Sequence, residues 1–150
     1  MTLGASAARR TSGKYVSRDE LDQLIADALS VPGRDERRGM IVALRISDPQ
    51  GIDARYGAGI AVECLRRAVA SELSTLRASD YRAPWDEHSV VVYMPHADLE
   101  GASSAARRLA QRLDEFEVEV NDRRVWARYR VQVCELARYP ALDEHSSVPS

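Results

Sequence analysis

The chain contains one lysine, Lys14, and one phenylalanine, Phe116. Every other basic residue is arginine, a planar fork suited to phosphate and guanine edges. Excess charge is also lacking. The formal net charge is −2, which gives none of the basic field that nucleic acid demands. No apolar run approaches a membrane span, and Met1 to Tyr15 lacks the apolar core of a signal peptide. Cysteine is scarce as well. Cys64 and Cys134 stand alone without metal-ligand spacing, and both are expected to be buried free thiols, one on a helix and one in a strand. These absences argue against a nucleic-acid partner, a membrane-embedded domain and a zinc site, and the expected location is cytoplasmic. What is present, 45% hydrophobic and 29% charged residues over 150 positions, suffices for one folded domain with a real core.

Met1 to Val16 is small, polar and basic, and is expected to form a flexible arm. Ser17-Arg18-Asp19-Glu20 has the spacing of a capping box, followed by Leu21, Leu24, Ile25, Ala28 and Leu29 on one helical face. Pro32-Gly33 stops that helix, and Arg34 to Arg38 reads as a charged connection. Met40 to Ile46 is almost continuously apolar, the pattern of a central strand buried on both faces, with Arg45 interrupting it. Asp48-Pro49-Gln50-Gly51 forms a turn, and a helical pattern runs from Ile52 to Leu76, with Gly57 and Gly59 implying two segments or a bent entry. A polar stretch from Arg77 to Ser89 then leads into the strand Ser89 to Met94, with Tyr81 to Ala83 as its hairpin partner. His96 to Phe116 is the next helix, with Leu99, Ala102, Ala106, Leu109, Leu113 and Phe116 inward. Phe116 to Val120 and Arg124 to Leu136 alternate around a turn at Asn121-Asp122, the fold ends at Tyr139-Pro140, and residues 141–150 form a flexible tail. The expected class is α/β (α+β), a mixed and mainly antiparallel sheet flanked by helices, with the domain at 17–140.

Several of these stretches together resemble the GGDEF domain, the diguanylate cyclase fold. Ile52-Asp53-Ala54-Arg55-Tyr56-Gly57 is similar to the family's Ile-Asn-Asp-x-x-Gly stretch after the first strand, and Tyr56 to Val62 stands where Tyr-Gly-His-x-x-Gly-Asp would. Arg77-Ala78-Ser79-Asp80 resembles the inhibitory-site Arg-x-x-Asp. Counting on from Asp80 without a gap puts Asp86, Glu87, His88, Ser89 and Val90 on the Gly-Gly-Asp-Glu-Phe signature, with Pro95 on the strand-ending proline. A shift of one or two residues makes Asp86-Glu87 the Asp-Glu of the signature instead, with Pro84-Trp85 replacing the glycines.

The departures from the family pattern decide the expected function. The resemblance places the metal-holding acids at Arg45 and His88, the guanine readers at Asp53 and Val62, and the phosphate-binding lysine near Gln50. A cation at a metal-ligand position repels Mg²⁺, so neither Mg²⁺ nor any other cofactor is expected and the chain is expected to be inactive as a cyclase. Arg77 and Asp80 survive, and the resemblance implies that they bind cyclic di-GMP: arginine to guanine or phosphate, carboxylate to the guanine N–H groups. Arg107 or Arg108 would supply a further arginine to a stacked ligand pair. The resulting expectation is a cyclic di-GMP receptor that signals to a regulatory protein partner, with a ligand-bridged homodimer as one route. The alternative is a nucleotide-independent interaction module using the arm or the hairpin. Plainer readings stand beside these. Arg-x-x-Asp is common in arginine-rich chains, His88 and the Asp86-Glu87 pair fit solvated turn residues, and Trp85 fits simple packing as well as a cleft plug or partner anchor. Trp126 fits core or sheet surface.

Overall fold

The computed structural model describes residues 14–31, 39–73 and 79–141. The strands are β1 (Lys14–Tyr15), β2 (Met40–Ile46), β3 (Tyr81–Asp86), β4 (Ser89–Met94), β5 (Val118–Val120), β6 (Arg123–Val125) and β7 (Tyr129–Glu135). The helices are α1 (Arg18–Leu29), α2 (Pro49–Tyr56), α3 (Ile60–Glu72) and α4 (Leu99–Asp114), followed by a 3-10 helix over Leu136–Ala141. The main sheet has the order β1-β3-β4-β2-β7, and β5 with β6 forms a separate ribbon. The β1–β3 pairing is parallel, whereas β3–β4, β4–β2 and β2–β7 are antiparallel.

The apolar run Met40 to Ile46 does become a central strand covered on both sides. Met40, Val42 and Leu44 pack with Val90 and Val92 of β4 under Leu65 and Val69 of α3, Leu73 at its C-cap, and Ala102, Leu109 and Leu113 of α4. Ile41 faces the other way, joining Val91, Tyr93, Ala83 and Trp85 beneath Leu21 and Ile25 of α1 and Leu136 and Tyr139. Two-residue alternation along a strand sends neighbouring side chains to opposite layers, which is how one strand serves both cores. Each fully buried Leu or Ile contributes about 1.5–3 kcal/mol relative to exposure. A third cluster closes one end of the sheet, where Ile46, Ile52, Ile60 and Cys64 meet Val118, Val120 and Val125.

The capping box forms as its spacing requires: Glu20 N–H donates to Ser17 Oγ at 3.1 Å, and Ser17 N–H donates to Glu20 Oε1 at 2.9 Å. The long helical pattern is two helices, because Gly57 (φ 126°) and Gly59 (φ 85°) break it in a backbone region that side-chain-bearing residues rarely adopt. Asn121 and Asp122 both have positive φ, as a two-residue hairpin turn demands.

Four expectations need correction. Lys14 and Tyr15, assigned to a flexible arm, form an edge strand, since Lys14 N–H donates to Asp80 O at 2.8 Å and Val16 N–H to Arg82 O at 3.0 Å. Arg124 to Leu136 is not one strand: after Val125 the chain leaves the ribbon and re-enters the main sheet at Tyr129. There Ser47 N–H donates to Arg128 O at 2.8 Å, which ties the crossover to the end of β2. Leu99, expected inward, is 58% exposed at the first turn of α4. Cys134 is a free thiol but only half-buried, while Cys64 is free and buried. The readings placed on residues 1–13, 32–38, 74–78 and 142–150, Arg77 among them, lie outside the described residues.

Candidate functional site

Two places combine polar groups with defined geometry. The first is the β3–β4 hairpin. Asp86 and Ser89 face each other across a turn made by Glu87 and His88, and the register shifts at Trp85, which bulges out of the ladder. Neither Glu87 nor His88 has a positive φ, so this turn accommodates side chains where a glycine pair would be the freer choice. Asp86 holds the turn together: its Oδ1 accepts from His88 N–H at 2.8 Å and from Ser89 Oγ at 2.7 Å. Its Oδ2 lies 3.6 Å from Arg45 Nη1, an atom that is buried and makes no hydrogen bond. Arg45 stands beside Ser89 on one side and Arg130 on the other. Glu87 is largely in water, its side chain 82% exposed, and approaches His88 Nε2 at 4.0 Å. Ile46 N–H donates to His88 O at 3.0 Å, which fastens the turn to the end of β2.

Behind the hairpin, Trp85 is 6% exposed. It packs edge-on against Tyr139 with ring centroids 5.2 Å apart, and the guanidinium of Arg18 stacks 3.6 Å above its ring. Arg18 Nη1 also donates to Trp85 O at 3.0 Å. Trp85 is therefore a core residue, and the partner-anchor reading of it is set aside because its surface is already covered.

The second place is the start of β3. Asp80 is 2% exposed and directly precedes the strand. Two residues on, Arg82 shares Asp80's side of the extended chain by alternation. Its Nε and Nη1 are buried and have no hydrogen-bond partner, and its guanidinium lies 4.5 Å from the ring of Tyr15 across the β1–β3 pair. On the opposite side Lys14 Nζ sits 5.2 Å from the ring of Tyr81, which stacks on Tyr93 at 6.0 Å.

Residues 14–134, which carry the five-stranded sheet and the hairpin between β3 and β4, match a family model described as the diguanylate cyclase GGDEF domain. The chain belongs to the GGDEF family. Among solved structures, the GGDEF domain of FimX from Pseudomonas aeruginosa superposes with a TM-score of 0.69 at 15% identity, covering 90% of this chain and 87% of that one. The diguanylate cyclase SiaD from the same organism, solved with its activator SiaC, gives 0.69 at 15% identity, covering 88% of this chain; the match spans 52% of the SiaD chain. The GGDEF domain of DgcB from Caulobacter crescentus, solved with c-di-GMP, gives 0.66 at 10% identity, covering 85% of this chain and 74% of that one. At these identities the likeness establishes the fold. No curated protein matches the chain.

Within this GGDEF domain the expected site residues fall in separate places. Asp53, which stands where the resemblance puts a guanine-reading asparagine, accepts from Ala61 N–H at 2.9 Å through its Oδ1. It thereby covers the start of α3, whose own cap, Gly59, has no side chain to offer. Asp48 caps α2 by accepting from Gly51 N–H at 3.2 Å, and a Cβ on Gly51 would run into that carboxylate. Val62 is 40% exposed on α3, and Gln50 is exposed on α2. Arg107 and Arg108 are exposed on α4, which packs chiefly on β7 and β2, whereas Asp80 opens β3 beyond β4. Trp126 is 69% exposed, so it is surface rather than core. Among the described residues, no three of His, Cys, Asp and Glu gather as a metal site, and no helix is long and apolar enough to cross a membrane. Arg82, Arg18 and Tyr15 were not singled out from sequence. For Arg82 the signal was available, since it stands two places after Asp80 on a strand.

Proposed function

We propose that this GGDEF domain does not carry out cyclase chemistry and acts as a regulatory receptor for cyclic di-GMP, read at Arg77 and Asp80 and passed to a protein partner. The observation that carries the first half is the Arg45–Asp86 pair at the end of β2. Where the family resemblance expects a carboxylate for metal, this chain has a guanidinium, and the nearby acid is already its counter-ion. Magnesium needs near-octahedral oxygen ligands. The acids of this region, Asp48, Asp53 and Asp86, each already accept from the chain's own donors. These residues do not suit Mg²⁺.

The receptor half is supported by the surviving Arg-x-x-Asp spacing and by the occurrence of c-di-GMP in the DgcB complex. A second reading, the nucleotide-independent interaction module, is favoured by one specific observation. Asp80 is 2% exposed, so a ligand reaches its carboxylate only after local rearrangement. SiaD with its activator is the kind of protein complex that reading resembles. Calorimetric titration of cyclic di-GMP into the wild type and Arg77→Ala separates them. Saturable binding lost in the variant supports the receptor. No heat and no thermal shift in the wild type leaves the interaction module. Product formed from GTP and Mg²⁺ at high protein concentration would overturn the loss of cyclase activity.

A further inference from the structure

Arg82 is an expensive arrangement for a protein that makes no use of it. A guanidinium has five N–H donors and cannot shed its charge, so burying part of it without hydrogen-bond partners is costly. Here Nε and Nη1 are both buried and unpartnered, which leaves three donors unused. The ring of Tyr15 lies against the group, 4.5 Å from the guanidinium carbon. Tyr15 is itself 64% exposed and belongs to a strand of two residues at the edge of the sheet. Asp80 lies one pleat away, about 6.6 Å along an extended chain.

We infer that Arg82 is a ligand-binding arginine of the Asp80 region, taking a phosphodiester oxygen of a cyclic dinucleotide, and that Tyr15 is a displaceable cover over it. A phosphodiester matches the group in charge and supplies acceptors to donors that have none. Because Tyr15 leaves when the phosphate arrives, β1 loosens from β3 on binding. Arg82 would supply the further arginine that a bound cyclic dinucleotide needs beside Asp80. The inference rests on the receptor reading above.

The test is titration of cyclic di-GMP into the full chain as wild type, Arg82→Met and Tyr15→Ala, with the ligand-free melting temperature of each. Arg82→Met is expected to bind at least 10-fold more weakly while melting no lower than the wild type, because an apolar chain replaces unpartnered buried donors. Tyr15→Ala is expected to bind about 2- to 5-fold more tightly, the factor that an exposed cation–π contact is worth. Wild-type binding with unchanged affinity in Arg82→Met overturns the inference and leaves the receptor reading intact. Equal or weaker binding by Tyr15→Ala, or a lower melting temperature for Arg82→Met, also overturns it by making these residues structural. Absence of wild-type binding removes the receptor reading, and this inference falls with it.

Discussion

Asp86→Ala is the substitution that most directly probes what holds the hairpin. It removes the acceptor of two short hydrogen bonds, from His88 N–H at 2.8 Å and from Ser89 Oγ at 2.7 Å. It also removes the counter-ion of Arg45. Hydrogen bonds to a charged acceptor are each worth about 1.5–3 kcal/mol when buried. The Asp86 side chain is 43% exposed, so the lower end applies, and water replaces part of what is lost. The ion pair, with both partners partly in water, adds at most about 1 kcal/mol. The three contributions share one carboxylate and do not add fully, which gives a net loss of about 2–3 kcal/mol. For a domain of this size that lowers the melting temperature by about 5–10 °C. Asp86→Asn keeps the carbonyl oxygen that accepts both hydrogen bonds and loses only the charge, so about 0.5–1 kcal/mol is expected. Thermal denaturation followed by circular dichroism checks both variants. An Asp86→Ala loss below about 0.5 kcal/mol would refute the hydrogen-bonded account, because a solvated turn residue costs that little. Equal losses in the two variants would mean that the ion pair with Arg45, not the turn, is what Asp86 supplies.

Asp53→Ala, which uncaps α3 at Ala61, is expected to cost about 1 kcal/mol in denaturant titration, with Asp53→Asn retaining most of that; equal stability in all three proteins would show the cap to be idle. Trp85→Ala removes a buried ring in contact with Tyr139 and Arg18, and is expected to cost about 3–5 kcal/mol or abolish folding, whereas a wild-type melting curve would return Trp85 to the surface role set aside above. Alkaline pH should destabilise the fold. Burial raises the Cys64 thiol, pushes Cys134 from an ordinary 9.0 to about 11, and raises the Tyr93 and Tyr129 phenols. These groups are held neutral in the folded state and ionise more readily when unfolded, so their contribution is complete below the unfolded thiol value and declines as pH rises through the folded one. The melting temperature should therefore fall between about pH 9 and pH 11, and a flat profile across that window would contradict the burial of these groups.

What the sequence by itself determined was whatever depends on local pattern. The continuous apolar run Met40 to Ile46 fixes a strand buried on both faces, because each alternate residue needs an apolar layer to meet. Ser17 and Glu20 fix a helix start, and Asn121-Asp122 fixes a turn, because single residues there satisfy backbone donors or adopt positive φ. The family was legible in the order of such features.

The tertiary structure decided what each polar residue touches. Sequence spacing gave no sign that Asp53 would accept from Ala61 N–H eight residues on, or that Asp86 would bind its own turn and face Arg45 from two strands away. It placed Lys14 and Tyr15 in an arm, because two residues carry no periodicity; a parallel partner 67 residues away makes them a strand. Sequence left Trp85 open between simple packing, a cleft plug and a partner anchor; the fold buries it in the α1 layer beside Ala83. The strand order β1-β3-β4-β2-β7 brings Tyr15 of the edge strand against Arg82, a contact between residues 67 positions apart. Local interactions are written in adjacent residues. Pairings across the sheet depend on register and layer order, which only the folded chain supplies.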